Sequence, residues 1–159
     1  MANVPWKPAQ YHTLTPFLSL RGAAPAIEFY KKAFGAEELY RMPGPGGSVM
    51  HAELRIGDSV VMMGEEAPEM GAPSPSTLGG STSGLLIYVS DCDQAFERAL
   101  KAGATTVQAP QDMFWGDRYG TLKDPFGHRW SIGTHVKDVS PDEMAKAQAA
   151  WVKQNAPAK

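Results

Sequence analysis

A chain of 159 residues with 43% hydrophobic and 20% charged residues has the size and composition of one globular domain, able to bury about two-thirds of the surface its unfolded form exposes. The formal charge of −2 leaves no electrostatic footprint for nucleic acid, and no Lys/Arg run suits a membrane surface. One cysteine, Cys92, excludes an intrachain disulfide and fits a reducing compartment; no signal-type apolar core and no window of ~20 apolar residues is present, so the expected location is the cytoplasm.

Residues 1–13 hold Trp6, Tyr11, Pro5 and Pro8 and predict an extended arm, ordered only where it lies on something. Residues 15–20 alternate in polarity and read as a strand, with Pro16 near its start because proline donates nothing to a ladder. A helix over 23–34 places Ala26, Ile27, Tyr30 and Phe34 on one face, and Gly35 is its expected C-cap. Strands follow at 37–42, 49–56 and 59–64. Gly44, Gly46 and Gly47 precede no helix and no Lys-Ser/Thr, so they predict a flexible loop and not a phosphate cradle.

Residues 65–83 are rich in Pro, Gly, Ser and Thr and are expected to form a linker without regular structure. The pattern then resumes with a strand at 85–90, a helix at 92–102 ended by Gly103, and a strand at 105–108. Cys92 opens that helix, where a lowered thiol pKa and an inert, partly buried thiol are the two alternatives. Asp124-Pro125-Phe126-Gly127 has tight-turn chemistry and joins residues 119–123 to 128–134 as a hairpin. Ser140, Pro141 and Glu143 form a capping box ahead of a last helix whose stripe of Met144, Ala147, Trp151 and Val152 suits docking on its own domain or on a second subunit.

An offset of 69 positions lays Thr15 on Gly84, Leu18 on Ile87, Leu20 on Val89, Ala26 on Ala95 and Glu28 on Glu97. Each half is therefore a βαβββ unit, too small to bury its own apolar face, and the two must pack together. The organisation expected is an N-terminal arm (1–13), a first module (14–64), a linker (65–83), a second module (84–135), and a C-terminal helix with tail (136–159), in one α+β domain.

Gly-Asp-Arg-Tyr-Gly followed by Asp-Pro-Phe-Gly-His-Arg-Trp-Ser-Ile, joined to that repeat, resembles the last hairpin of the vicinal-oxygen-chelate superfamily, which includes glyoxalase I, bleomycin-resistance proteins, fosfomycin-resistance transferases and extradiol dioxygenases. The PhnB-like branch is the nearest in wording. The resemblance spans roughly residues 14–135 and implies paired half-barrels enclosing a cleft, often across a dimer interface. It further implies a divalent metal held by His, Gln or Glu on the inner strands, chelating two neighbouring substrate oxygens. Carried over, those ligand positions fall on Thr15, on Val61 or Met62, on Gly84 and on Ser131, none of which is a ligand of the family type. The expectation is no metal and no cofactor, as in bleomycin-resistance proteins, which resemble the fold and sequester a ligand.

Other candidates come from strand parity. His51 and Glu53 share a face, either as an acid–base pair, as half of a displaced metal site, or as a polar strand face paired with Arg55. Tyr119 and Thr121 oppose Leu122 and point toward the cleft with Ser131, while Trp130 points to the core. Thr15 and Phe17 line the first strand. Phe114 and Trp115 beside Arg118 and Asp117 suit a planar or anionic small molecule, or else form a packed loop with Arg118 paired to Asp117 or a Glu. Met62, Met63 and Met70 line an adaptable pocket or belong to the core. His12, His128 and His135 read as surface or packing residues.

The leading expectation is a homodimeric, metal-free small-molecule-binding protein without nucleic-acid or membrane partners. The alternatives are a lyase, isomerase or dioxygenase using His51 and Glu53, and a dimeric scaffold without ligand.

Overall fold

The computed structural model describes residues 4–155, so the first three residues of the expected arm and the last four of the tail lie outside them. Strand β1 (Phe17–Leu20), helix α1 (Ala23–Phe34), β2 (Glu37–Pro43), β3 (Val49–Ile56) and β4 (Ser59–Glu65) form the first βαβββ module. A short helix, α2 (Pro75–Leu78), stands between the modules. The second contains β5 (Gly84–Tyr88), α3 (Cys92–Ala102), β6 (Thr105–Asp112), β7 (Asp117–Lys123) and β8 (Arg129–His135); α4 (Pro141–Asn155) follows. Each module is a four-stranded sheet, ordered β1-β4-β3-β2 and β5-β8-β7-β6, with its first pair parallel. Phe17 pairs with Met62 and Leu86 with Ser131, so the 69-residue offset seen in the sequence recurs in the ladders.

Helix α1 starts without a cap from its own first residues. Glu65, at the end of β4, accepts hydrogen bonds from the Gly22 and Ala23 amides at 2.9 and 2.7 Å, a carboxylate at the positive end of the helix. Gly35, left-handed at φ 66°, ends it. Helix α3 is capped by Asp91, which accepts from the Gln94 amide at 2.9 Å.

Alternation along the strands sends Leu18, Leu20, Ala52, Leu54 and Met63 of one sheet, and Leu122, Trp130 and Ile132 of the other, toward the helices. The two modules of one chain meet through these helical layers: Trp130 lies 5.3 Å from Tyr30 and 4.7 Å from Phe34 between ring centroids, and Arg98 Nε donates to the Ala33 carbonyl at 2.9 Å. Burying two rings such as Tyr30 and Trp130 removes on the order of 300–500 Å² from water, worth roughly 8–12 kcal/mol before conformational entropy is subtracted. A net hydrogen bond is worth only ~1 kcal/mol, so ring packing holds the junction and the polar bonds set its register. Both concave sheet faces point away from this core.

Five expectations are corrected. Residues 65–83 are not structureless: Glu65 belongs to β4, Pro68–Met70 forms a 3-10 turn, and α2 is capped by a fully buried Ser74. Glu66 gathers Arg21 Nε, the Ser74 amide and the Thr77 hydroxyl, an anchor that composition does not reveal. Strand β6 runs on to Asp112 past Pro110, tolerated because β6 is an edge strand with register shifts at Gln108. The glycines near residue 45 form a 3-10 turn, Pro45–Gly47. Strand β1 begins only at Phe17, and β5 ends at Tyr88, leaving Asp91 to cap α3.

The capping box of α4 is formed, with the Ser140 amide donating to Glu143 at 3.0 Å and the Glu143 amide to Ser140 Oγ at 3.4 Å. Trp151 of that helix stands 6.0 Å from Phe114. No helix of the described residues is long and apolar enough to cross a membrane.

Candidate functional site

On the first concave face Phe17, Met62, Glu53 and Tyr40 are successive cross-strand partners over β1, β4, β3 and β2. His51 shares the face, with Nε2 at 3.3 Å from Glu53 Oε1, its ring stacked on Phe17 at 6.1 Å and tilted against Tyr40 at 6.3 Å. Glu53 does not pair with Arg55, which bonds Glu37 at 2.5 Å. Instead the Tyr11 hydroxyl, reaching over from the arm, donates to Glu53 Oε1 at 2.6 Å. That bond, with burial adding to it, holds the Tyr11 phenol above its ordinary pKa.

The second concave face carries Tyr119, Thr121 and Ser131 together: the Tyr119 hydroxyl donates to Ser131 Oγ at 2.6 Å, and Thr121 Oγ1 lies 3.3 Å from the same atom. A recess of about 300 Å³ opens beside them, bounded by residues 81–86 and Arg129. Farther along the face, Asp117 is only 4% exposed and receives Tyr88 Oη at 2.8 Å, Trp115 Nε1 at 3.1 Å and His135 Nδ1 at 2.9 Å. Burial works to raise the Asp117 pKa; the bonds from His135, Tyr88 and Trp115 outweigh it and leave the carboxyl below its usual range. His135 Nε2 meets Asp138 at 3.1 Å, and the two carboxylates, Asp117 foremost, raise its pKa.

The remaining candidates separate. Phe114 and Trp115 meet edge to face at 5.1 Å, and Trp115 meets Tyr119 at 5.6 Å, so these rings do border the second face. Arg118 does not: strand parity turns it to the helix side of the sheet, where Asp93 of α3 holds it at 2.8 Å and Asp112 at 3.3 Å. Its partners are neither Asp117 nor a Glu. Met63 is core, Met62 lies beside Glu53 on the concave face, and Met70 is exposed. Cys92 is buried, donates to the Ile132 carbonyl at 3.3 Å, and has its thiol pKa raised by burial, opposite to an activated helix-start thiol. His128 is buried against the Ser19 carbonyl at 3.2 Å. Tyr11, Tyr40, Tyr88 and His135 are not among the sequence candidates for the site; Tyr40 and Tyr88 carry a signal in strand parity, whereas Tyr11 sits in an arm without periodicity.

The resemblance implies a divalent metal, and the four positions it selects do not fit one. Thr15 Oγ1 donates to the His12 carbonyl at 3.0 Å, Ser131 Oγ is engaged by Tyr119, and Met62 and Gly84 supply no imidazole or carboxylate. Val61 points into the core. Among the described residues no group of three or more His, Cys, Asp or Glu side chains is placed to hold a metal ion.

A cavity of about 730 Å³ lies elsewhere, at the module junction between Phe34, Val61, Leu85, Ile87, Arg98 and Trp130. Its walls combine buried core side chains such as Val61 and Trp130 with exposed or polar ones, among them Tyr88, Asp58, Asp91 and Gln94, and its guanidinium already bonds the Ala33 carbonyl.

Comparison with known proteins matches this architecture. The sequence model of the Glyoxalase/Bleomycin resistance protein/Dioxygenase superfamily matches residues 14–132. An uncharacterized protein of Mycobacterium bovis is 49% identical over 140 residues, covering 86% of this chain and 92% of its own. The crystal structure of TioX from Micromonospora sp. ML1 is 30% identical with a TM-score of 0.62, covering 79% of this chain and 99% of that one. TnmS3, an antibiotic binding protein from Streptomyces sp. CB03234, is 23% identical with a TM-score of 0.60, covers 81% of this chain and 99% of its own, and shares the fold. By its matched residues and its doubled βαβββ topology, the chain belongs to the Glyoxalase/Bleomycin resistance protein/Dioxygenase superfamily.

Proposed function

We propose that this chain is a small-molecule-binding protein that sequesters its ligand against the concave faces of its half-barrels without a metal ion, and that it does so as a homodimer. The observation that carries the reading is the surface of those faces: Phe17 is 52% exposed, Leu86 47% and Tyr88 61%, while the polar side chains between them are already paired with one another. Exposed aromatic surface with a few directed polar groups binds planar apolar molecules, and exposed apolar side chains at the sheet edges suit cover by a second copy. TnmS3 illustrates that the fold accommodates binding. The test is elemental analysis of protein purified without chelator or affinity resin, before and after incubation with Zn²⁺, Ni²⁺, Mn²⁺ and Fe²⁺, followed by a thermal-shift ligand screen and sedimentation. Metal content far below one equivalent, a ligand-dependent rise in Tm and a dimer are expected; a full equivalent of metal or a stable monomer at micromolar concentration overturns it.

One observation favours a second reading, an enzyme of the same fold acting through an acid–base pair: His51 Nε2 and Glu53 Oε1 stand 3.3 Å apart. The Tyr11 hydroxyl takes the same oxygen at 2.6 Å, which occupies the base in this state. A turnover abolished in the double variant His51→Ala, Glu53→Ala with folding intact would establish the enzyme.

A further inference from the structure

We infer that the first concave face is a site for hydroxyaromatic ligands, planar rings bearing a phenol-type hydroxyl, and that Tyr11 occupies it as an internal stand-in which such a ligand displaces. The inference deepens the binding reading and rests on it.

The receptor half is rigid. Glu53 and His51 lie within β3, laddered on both sides by β2 and β4, and Phe17 and Tyr40 flank His51 with flat ring surface. The Glu53 side chain is 13% exposed, and Arg55, the cation next on its strand face, is committed to Glu37. A mostly buried carboxylate with the His51 imidazole 3.3 Å away, and with no Arg or Lys bonded to it among the described residues, needs donors and repels anions, so the ligand is a neutral donor and not an anionic molecule. The bond it makes is O–H···O⁻ at 2.6 Å, the short, charge-assisted kind, for which an acidic phenolic hydroxyl is a better donor than an aliphatic alcohol.

The occupant half is built to leave. Residues 4–16 contain no helix or strand, and Val4, Trp6 and Leu14 of the arm are exposed. Among the described residues, the hydrogen bonds that join the arm to the body of the first module besides that of Tyr11 are a 3.5 Å His12–Ser59 contact and one accepted by the Pro16 carbonyl at the entry to β1. A phenol on a loosely held arm, bonded to a carboxylate in a ring-lined face, is the geometry a displaceable surrogate requires; displacing it lowers apparent affinity by the fraction of time the site is open.

The test uses full-length protein, calorimetric titration, and two probes, 2-naphthol and 2-methoxynaphthalene, which differ in the hydroxyl proton. The wild type is expected to prefer 2-naphthol, Tyr11→Phe to tighten 2-naphthol binding by about tenfold by freeing Glu53, and Glu53→Gln to remove most of the preference between the probes. Deletion of residues 2–12 repeats the Tyr11→Phe arm without leaving a ring behind, and circular dichroism with melting confirms that each variant folds. Equal affinity for both probes in Tyr11→Phe overturns the hydroxyl recognition and leaves the binding reading standing. Failure of every variant to bind either probe also overturns this inference; the binding reading falls with it only if the thermal-shift screen finds no ligand of other chemistry.

Discussion

The Tyr30 hydroxyl donates to Asp124 Oδ2 at 2.7 Å, tying the helix of the first module to the hairpin turn of the second. Trp130 Nε1 donates to the same oxygen at 2.9 Å, and the Phe126 and His128 amides donate to Oδ1, each at 2.9 Å. One buried carboxylate therefore shapes the turn and joins the modules. Burial, and then the Asp124 charge, push the Tyr30 phenol well above its ordinary pKa, so it stays a donor at any physiological pH.

Removing either partner is expected to weaken the junction unequally. Tyr30→Phe should cost about 1–2 kcal/mol, because Trp130 still satisfies the oxygen, whereas Asp124→Ala strands several buried donors and should cost about 3–5 kcal/mol. Urea denaturation checks both; a loss for Asp124→Ala no larger than for Tyr30→Phe would mean that the carboxylate is not the organising group.

The His135 pair gives a pH dependence of definite sign. Its folded pKa is raised by Asp117 and then Asp138, so its stabilising contribution is complete below the unfolded imidazole value and is lost as pH rises through the folded one. The Asp117 carboxyl is lowered, so its contribution holds above the unfolded value and is lost only as pH falls through the folded one. Melting temperature should therefore decline as pH rises past the ordinary imidazole value, and His135→Gln should flatten that limb; an unchanged slope in the variant would refute the assignment.

Glu66 should control the linker. Hydrogen bonds from Thr77, then Ser74 and Arg21, hold its carboxyl at about 2, so the anchor persists in moderate acid and is lost as pH falls toward that value. Glu66→Ala should free residues 66–83 at neutral pH, read as faster limited proteolysis within that segment with cutting elsewhere unchanged.

Gly116 should not tolerate a side chain. Its φ is +98°, and a Cβ built there would lie 2.0 Å from the Lys137 carbonyl oxygen, which is backbone and cannot swing aside. Gly116 also accepts the Val136 and Lys137 amides at 2.9 and 3.0 Å, so Gly116→Ala should detach the segment leading to α4 and cost about 2–4 kcal/mol. Denaturant titration, with hydrogen exchange at residues 136 and 137, measures both effects.

What the sequence determined by itself was local and periodic. The 69-residue offset placed both βαβββ modules, Gly35, Gly103 and the Ser140 capping box placed helix ends, and strand parity correctly put Trp130 inside and Tyr119, Thr121 and Ser131 on one face. Parity names a face but not a partner. The sequence could place His51 beside Glu53, two residues apart on one strand, yet it could not show that Glu53 takes a phenol from 42 positions away, that Arg118 turns to Asp93, or that Asp117 gathers Tyr88, Trp115 and His135. Tertiary structure decided these, because a hydrogen bond depends on an approach within a few tenths of an ångström, set by sheet register, by where the arm lies, and by which helices pack, and none of those distances is encoded in the spacing of residue types along the chain.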